Sequence, residues 1–451
     1  MDSHGCSEET ILKGPPTTYP DNCFSIDVAA RSLRSDVTWT HKIGVGKLVA
    51  KAALNRFERS SDYLFTGSGN QATLGRRVLA DSLDHTATLS GKYLAPLGSS
   101  HSLGLGWDAS RTLRTEARVQ RDTTFAGVPL YALDEDYEAV VNRMALFAQD
   151  EWAVTDRLQA YIGLRWEALQ TDVTGRTMDQ VRHKSRVASP VAQLLWKLPG
   201  SEKDQVRIAL SRTYKAPATR LLVPRRYTVN NGNSPSNPDV RGNPDLRPEL
   251  AWGLDAGYET YFGKSGMVSI STYLRRVQGV TVTQVDPDSR PWMATPANKG
   301  DANVAGIEAD TRFLPHKDLD LRANLGINRS SLQAVPGPDN RLAEQVSATA
   351  NAGFDYRYSA AFTVGVNLNL QFGGPVRISE EQRAYTGPVR KLDVYGLWKP
   401  DGKTQVRLSV TDLPEQDRIS RQSYASDTGS WQRTLAESNR IWVRLVLETK
   451  I

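Results

Sequence analysis

Apolar and polar residues alternate one for one through most of this chain. From residue 158, Leu158, Ala160, Ile162, Leu164 and Trp166 fall on one side of an extended backbone, and Gln159, Tyr161, Gly163, Arg165 and Glu167 fall on the other. A period of two is the mark of a β-strand, whose successive side chains point to opposite faces. The same rhythm runs through Phe362, Val364, Val366, Leu368 and Leu370, and through Leu319, Leu321, Leu325 and Ile327. Weaker copies begin near Leu103, Val206, Val268, Ala305, Leu392 and Val406. Counted from segments at 33–41 and 45–58 to a last one ending at Ile451, the pattern predicts about 17 strands.

The connections alternate in length. Short polar turns occur near Thr155-Asp156, Gly200 to Lys203, Gly263 to Gly266, His316-Lys317, Tyr358-Ser359 and Pro400 to Lys403. Longer stretches rich in Gly, Pro, Asn and Asp lie near 119–140, 171–183, 215–248, 281–301, 332–342, 374–387 and 414–431. Short turns at one end and long loops at the other are the asymmetry of a transmembrane β-barrel. The mean hydropathy of −0.45 does not oppose this, because a span needs only about ten residues and every second one faces lipid. The expected fold is therefore all-β, a transmembrane antiparallel β-barrel in the bacterial outer membrane. If the C-terminus is periplasmic, the strand at 33–41 descends from outside. Residues 1–30 then form an N-terminal segment within an extracellular loop, and 31–451 form the barrel. Single-chain bacterial barrels have even strand numbers, so an odd count implies missing strands.

The formal net charge of +6 would suit a nucleic-acid binder if the cations clustered. They interleave with carboxylates instead, as from Arg111 to Arg118, which is the pattern of a solvated polar face. The six histidines, at 4, 41, 85, 101, 183 and 316, have no metal-ligand spacing. Gly106-Trp-Asp-Ala-Ser110 is not a nucleophile elbow, so no enzyme, metal site or cofactor is expected. Cys6 and Cys23 are the only cysteines; they either pair across the extracellular segment or remain two free thiols. Arg220, Arg225, Arg226 and Tyr227 sit in the long loop after residue 217. They offer a grip for an anionic or chelated ligand, and equally for lipopolysaccharide phosphates or solvent. Trp152, Trp166, Trp292, Trp398 and Trp442 are expected in interfacial girdles.

Three passages give the barrel a family resemblance. The first is Met144-Ala-Leu-Phe-Ala-Gln-Asp-Glu-Trp152, followed after a turn by Gly163-Leu-Arg-Trp166. The second runs from Ser211-Arg-Thr-Tyr-Lys-Ala-Pro217, through a long loop, to Gly242, Asn243, Pro244, Asp245, Leu246, Arg247, Pro248 and Glu249, then to Gly257-Tyr-Glu259. The third pairs Asn298-Lys-Gly300 with Gly306, Ile307 and Glu308. Together they resemble the TonB-dependent outer-membrane receptors over residues 31–451. The last strand, with Ile441, Val443, Leu445, Leu447 and Ile451 on one face, is similar to the C-terminal assembly signal of such barrels, although Ile451 stands where an aromatic is usual.

The resemblance implies 22 strands, so the chain reads as an incomplete barrel whose plug domain and TonB-contacting segment are not found. The motif residues themselves are structural, because prolines end strands and Asn-Pro-Asp is turn chemistry. The implied function is TonB-energised uptake of a scarce solute, with a ferric siderophore or similar iron chelate first. The implied partners are that solute, TonB, and outer-membrane lipid with lipopolysaccharide; nucleic acid is not among them. Two alternatives stand beside it: a plugless passive porin, and a non-functional truncated receptor.

Overall fold

The computed structural model describes every residue except 1, 15–16, 70–71, 177, 202, 229–231, 264, 287, 290, 428 and 450–451. Ile451, the last residue of the proposed assembly signal, lies outside the described residues. The chain opens with β1 (Asp2–Lys13), β2 (Asp21–Ile43), β3 (Gly46–Ser68), β4 (Thr73–Leu97), β5 (His101–Thr123) and β6 (Pro129–Ala153). Next come β7 (Leu158–Gly175), β8 (Met178–Lys197), β9 (Gln205–Lys215), a helical turn α1 (Thr219–Leu222), β10 (Arg226–Tyr227) and β11 (Asp239–Arg241). The wall resumes at β12 (Glu249–Phe262) and β13 (Gly266–Gln278), and after β14 (Thr281–Asp286) and β15 (Met293–Asn298) it continues as β16 (Asp301–His316), β17 (Leu319–Leu332) and β18 (Ala348–Arg357). The last quarter holds β19 (Phe362–Phe372), β20 (Gly374–Arg377), β21 (Gln382–Thr386), β22 (Val389–Trp398), β23 (Thr404–Leu413), β24 (Arg418–Ala425), β25 (Ser430–Glu437) and β26 (Trp442–Thr449).

One antiparallel sheet of 22 strands contains all of these except α1, β10, β11, β14 and β15. Sequence neighbours pair from β2 to β9, and then β9 pairs β12, β13 pairs β16, β19 pairs β22 and β23 pairs β26. These strands carry an apolar outer belt. Leu54, Leu89, Leu146, Leu164, Ile208, Leu254, Ile307, Leu325 and Leu408 are all among its exposed large hydrophobics. Exposure of such residues in adjacent registers is costly in water and neutral in hydrocarbon, which is why alternation marks this part of the wall so clearly. Trp152, Trp166, Trp398 and Trp442 also lie exposed on the wall. Trp292 does not, because its backbone is bonded to Asn233 in a loop.

Several stretches expected to be long loops are strands. β5 and β6 continue to a connection between Thr123 and Pro129, and β7 and β8 to one between Gly175 and Met178. Above the belt both faces of the wall are wet or packed on polar loops. Alternation disappears there while ladder pairing persists. The stretches 374–387 and 414–431 likewise contain β20, β21, β24 and β25, which prolong β19, β22, β23 and β26 outward.

The seam of the wall lies at β1. This strand pairs β2 through Asp2–Asp27 to Ser7–Asn22, and β25 through Gly5–Glu437 to Lys13–Ser430. It therefore closes the outer half of the ring. Below it, the stretch of β2 from Ala29 to Ile43 pairs only β3, and β26 pairs only β23, among the described residues.

Candidate functional site

The two loops that follow β9 and β13 fold together over the end of the barrel that carries the long connections. β10 pairs β11, β11 runs parallel to β15, and β15 pairs β14, making a separate four-stranded sheet. Trp292 and Asn233 join the loops through reciprocal bonds, Asn233 Nδ2 donating to Trp292 O at 2.8 Å and Trp292 N donating to Asn233 Oδ1 at 2.7 Å. This cap is held to the strands by the motif residues. Asn243 Nδ2 donates to Pro296 O at 3.0 Å, and its own Oδ1 accepts from Asp245 N at 2.9 Å, an Asx turn. Asn298 is a double clip: Oδ1 accepts from Arg247 N at 2.8 Å, while Nδ2 donates to Arg247 O at 2.9 Å and to Gly279 O at 2.7 Å. Glu249 Oε1 accepts from Thr281 N at 2.9 Å. Pro244 O lies 3.1 Å from His183 Nδ1 on β8, and Leu246 is fully buried.

Gly306 and Glu308 lie apart from the cap, on β16. The ring of Tyr273 on β13 crosses Gly306, where a Cβ would meet ring atoms at 2.4 and 2.5 Å and the hydroxyl oxygen at 2.6 Å, and that hydroxyl donates to Asn328 Oδ1 at 2.6 Å. Only glycine leaves room for this arrangement. Glu308 is placed between Ser271 and Gly326 in the ladder.

The cap rests on the inner face of β4 to β7. Val223 of the loop packs with Tyr137, Ala139 and Val173. The Tyr137 hydroxyl donates to Glu116 Oε2 at 2.7 Å, so Glu116, Arg118, Gln120 and Asp122 of β5 share the face that the loop covers. Charge at this contact is dense and largely paired. Arg76 makes a bidentate pair with Asp122 (2.9 and 2.7 Å), with both side chains buried, and reaches Thr228 O at 3.4 Å. Arg225 Nη1 lies 2.8 Å from Glu135 Oε2, whose side chain is fully buried. Arg226 pairs Asp239 at 2.5 Å within the cap sheet. Burial first, and then the Glu116 hydrogen bond, push the Tyr137 hydroxyl up to about 12, so it stays a neutral donor.

Arg118 is the exception. Among the described residues its only hydrogen bond goes to Gln120 Oε1 at 3.4 Å; it makes no ion pair, and its buried Nε has no acceptor. Burial, followed by the guanidiniums of Arg225 and Arg76, holds its pKa below the ordinary arginine value. Arg225 and Arg76 thus face it as like charges, which Glu116 offsets in part. A half-buried guanidinium whose Nε lacks an acceptor is suited to an anion.

Of the loop residues singled out in the sequence, Arg225 and Arg226 are thus already matched to carboxylates. Arg220 stands exposed on α1, and Tyr227 is exposed on β10. Arg76, Arg118, Asp122 and Glu135, which meet the loop from the wall, were hidden in a run that reads as an ordinary polar face. Their strand spacing of two was the available signal. Cys6 and Cys23 stand opposite each other in the β1–β2 ladder with their sulfurs bonded at 2.09 Å.

Comparison with solved structures places this architecture among known barrels. The copper transporter OprC superposes with a TM-score of 0.58 at 13% identity, covering 98% of this chain and 83% of its own. The ferric yersiniabactin uptake receptor FyuA from Yersinia pestis gives 0.58 at 11% identity, covering 98% and 80%. The ferric-catecholate import receptor Fiu from K12 E. coli gives 0.60 at 10% identity, covering 98% and 81%. At these identities the likeness is one of fold. Comparison with curated proteins returns no match. The family model described as TonB dependent receptor-like, beta-barrel matches residues 10–413. With its sheet, outer belt and loop cap arranged as described, this chain belongs to the TonB-dependent receptor β-barrel family, a family of outer-membrane transporters and receptors.

Proposed function

We propose that this barrel serves TonB-energised uptake of a scarce anionic metal chelate, a ferric siderophore foremost, across the bacterial outer membrane. Family membership supplies the transport class and makes TonB the expected energy source. The names of the similar structures, which include ferric-siderophore and copper receptors, support a metal-bearing solute. The observation that carries the chelate reading is Arg118, a cation without a carboxylate partner among the described residues, beneath a loop whose Arg225 and Arg226 are already paired with carboxylates. An anionic chelate entering under the cap gains charge-assisted hydrogen bonds there. Outer-membrane lipid contacts the apolar belt in this reading, and lipopolysaccharide surrounds the wall above it.

The test is a titration of the purified protein in detergent with a ferric catecholate, read by tryptophan fluorescence, alongside uptake by iron-starved cells with and without TonB. Arg118→Ala should weaken binding about tenfold or more, since a charge-assisted bond contributes about 1.5–3 kcal/mol. Unchanged binding in that variant would remove Arg118 from the site. Uptake independent of TonB, together with steady conductance in planar bilayers, would favour the passive-porin reading instead.

A further inference from the structure

On the lipid-facing side of the wall, arginines collect where the apolar belt of β9 to β17 ends. Trp252 on β12 stands in the ladder between Arg212 on β9 and Arg276 on β13, and the row continues through Asn303 on β16 to Ser331 on β17. The next row down is Leu210, Leu254, Leu274, Ala305 and Arg329. Side chains two apart share a face, so both rows stand on the same side as the exposed Ile208, Ile307 and Ile327 below them. Arg212, Arg276 and Arg329 each lie two or three residues before their strands end at the long connections. Their level is therefore the outer edge of the belt, where hydrocarbon gives way to head groups. Between the rows lies a cleft of about 520 Å³, and the small side chain of Ala305 leaves it low between Leu274 and Arg329.

Positive charge here is mostly unmatched. Arg276 Nη2 donates to Asp301 Oδ2 at 3.3 Å. Arg212 Nη1 donates only to Ala188 O at 3.2 Å, and its buried Nε has no acceptor. Neither Arg212 nor Arg329 has a carboxylate partner among the described residues, whereas Arg56, Arg77 and Arg182, elsewhere on the outer face, are paired with Glu58, Asp62 and Asp172. An unmatched guanidinium beside hydrocarbon is costly until an anion satisfies it. We propose that this cleft binds one phosphorylated lipid of the outer leaflet, the lipid A part of lipopolysaccharide. A free phosphate would suit the arginines but not the leucines beneath them, and an uncharged lipid the reverse; the two together call for an anionic amphiphile. Spacing then selects within that class. Arg212 and Arg276 flank Trp252 and can share one phosphate, while Arg329 stands two strands beyond Arg276, about 9.5 Å along the sheet. Two anchors so far apart fit a disaccharide with a phosphate at each end better than a glycerolipid with one. An acyl chain descends over Ala305 into the belt. This site lies on the opposite side of the wall from Arg118 and stands or falls separately from the chelate reading.

The test is native mass spectrometry of the full chain in dodecyl maltoside, with folding checked by heat-modifiable gel mobility. Diphosphoryl lipid A, monophosphoryl lipid A and phosphatidylglycerol are titrated in turn, and inorganic phosphate is added as a competitor. One diphosphoryl lipid A is expected to be retained per barrel, ahead of the monophosphoryl form and of phosphatidylglycerol. Arg329→Gln should weaken the diphosphoryl form about tenfold, to the level of the monophosphoryl one. Arg56→Gln, on the far flank, should leave both unchanged. Ala305→Phe fills the low part of the cleft without touching the charges and should weaken both lipid A forms, which keeps the test open if the arginine variant does not fold. Equal retention of phosphatidylglycerol and lipid A overturns the proposal in favour of a general anionic surface. Displacement of the lipid by inorganic phosphate overturns it in favour of a free-anion site. Undiminished lipid A binding by folded Arg329→Gln or by Ala305→Phe overturns it outright.

Discussion

Asn298 has little chemistry to offer a solute, yet it is the residue on which the cap depends most. Its amide satisfies both backbone groups of Arg247 and the carbonyl of Gly279, which ties the end of one loop to the start of the next. Asn298→Ala strands these groups, at about 1–3 kcal/mol for each one left buried. It should raise protease cleavage of the 216–248 loop while leaving the heat-modifiable mobility of the barrel intact. Gly306 acts by absence of a side chain. Gly306→Ala drives a methyl group into the Tyr273 ring and breaks its bond to Asn328, a change expected to cost about 1–3 kcal/mol in urea unfolding from vesicles. Both motifs could be read in the sequence as structural punctuation, because turn asparagines and crowded glycines have backbone reasons to exist. Arg118 could not. One arginine in a stretch of alternating charge looks like any other until the loop that covers it is in place.

At the level of elements, the loop after β9 is fastened to the wall by the buried Arg225–Glu135 pair beside the apolar contact of Val223 with Tyr137, Ala139 and Val173. Glu135→Ala leaves Arg225 with a buried, uncompensated charge, which for such pairs costs about 3–5 kcal/mol. The loop should then show much faster amide exchange, whereas Glu135→Gln should fall between the two. The β7–β8 hairpin answers to acid. The Arg182 hydrogen bond, and then that from Gln170, hold the Asp172 carboxyl below the usual carboxylate range. A depressed folded-state pKa stabilises above the ordinary value and loses that contribution as pH falls through the folded one. Protection of the hairpin-tip amides, measured relative to their intrinsic exchange rates, should therefore be flat from neutral to mildly acidic pH and fall only in stronger acid. Elements inside the belt were legible in the sequence because hydrocarbon on one side and water on the other impose a period of two. The upper parts of β5 to β8 were not, since neither face there meets hydrocarbon and the few apolar side chains pack on a loop distant in sequence. β1 has the same character: Ser3, Gly5 and Glu9 alternate with nothing apolar enough to mark a strand.

For the molecule as a whole, the seam is where the ring is least secured. β1 is the strand that links the first part of the sheet to the last, and the Cys6–Cys23 bond fastens it to β2. Replacing both cysteines by serine should release about 3 kcal/mol of constraint on the intervening loop. Cleavage within β1 is expected to rise while β12 to β18 remain protected, a contrast that peptide mapping after limited proteolysis would show. The strand lengths carry a second consequence. β2 to β6 have 23 to 25 residues, whereas β9, β12, β13, β17 and β18 have 10 to 14. The rim is therefore slanted like a cut reed, high along one flank and low along the other, and the cap springs from the low flank to lean on the high one. A solute meets this opening from the side. Which way the barrel is turned about the membrane normal, and what stands next to its low lip, then decides how much of the surrounding medium it can sample.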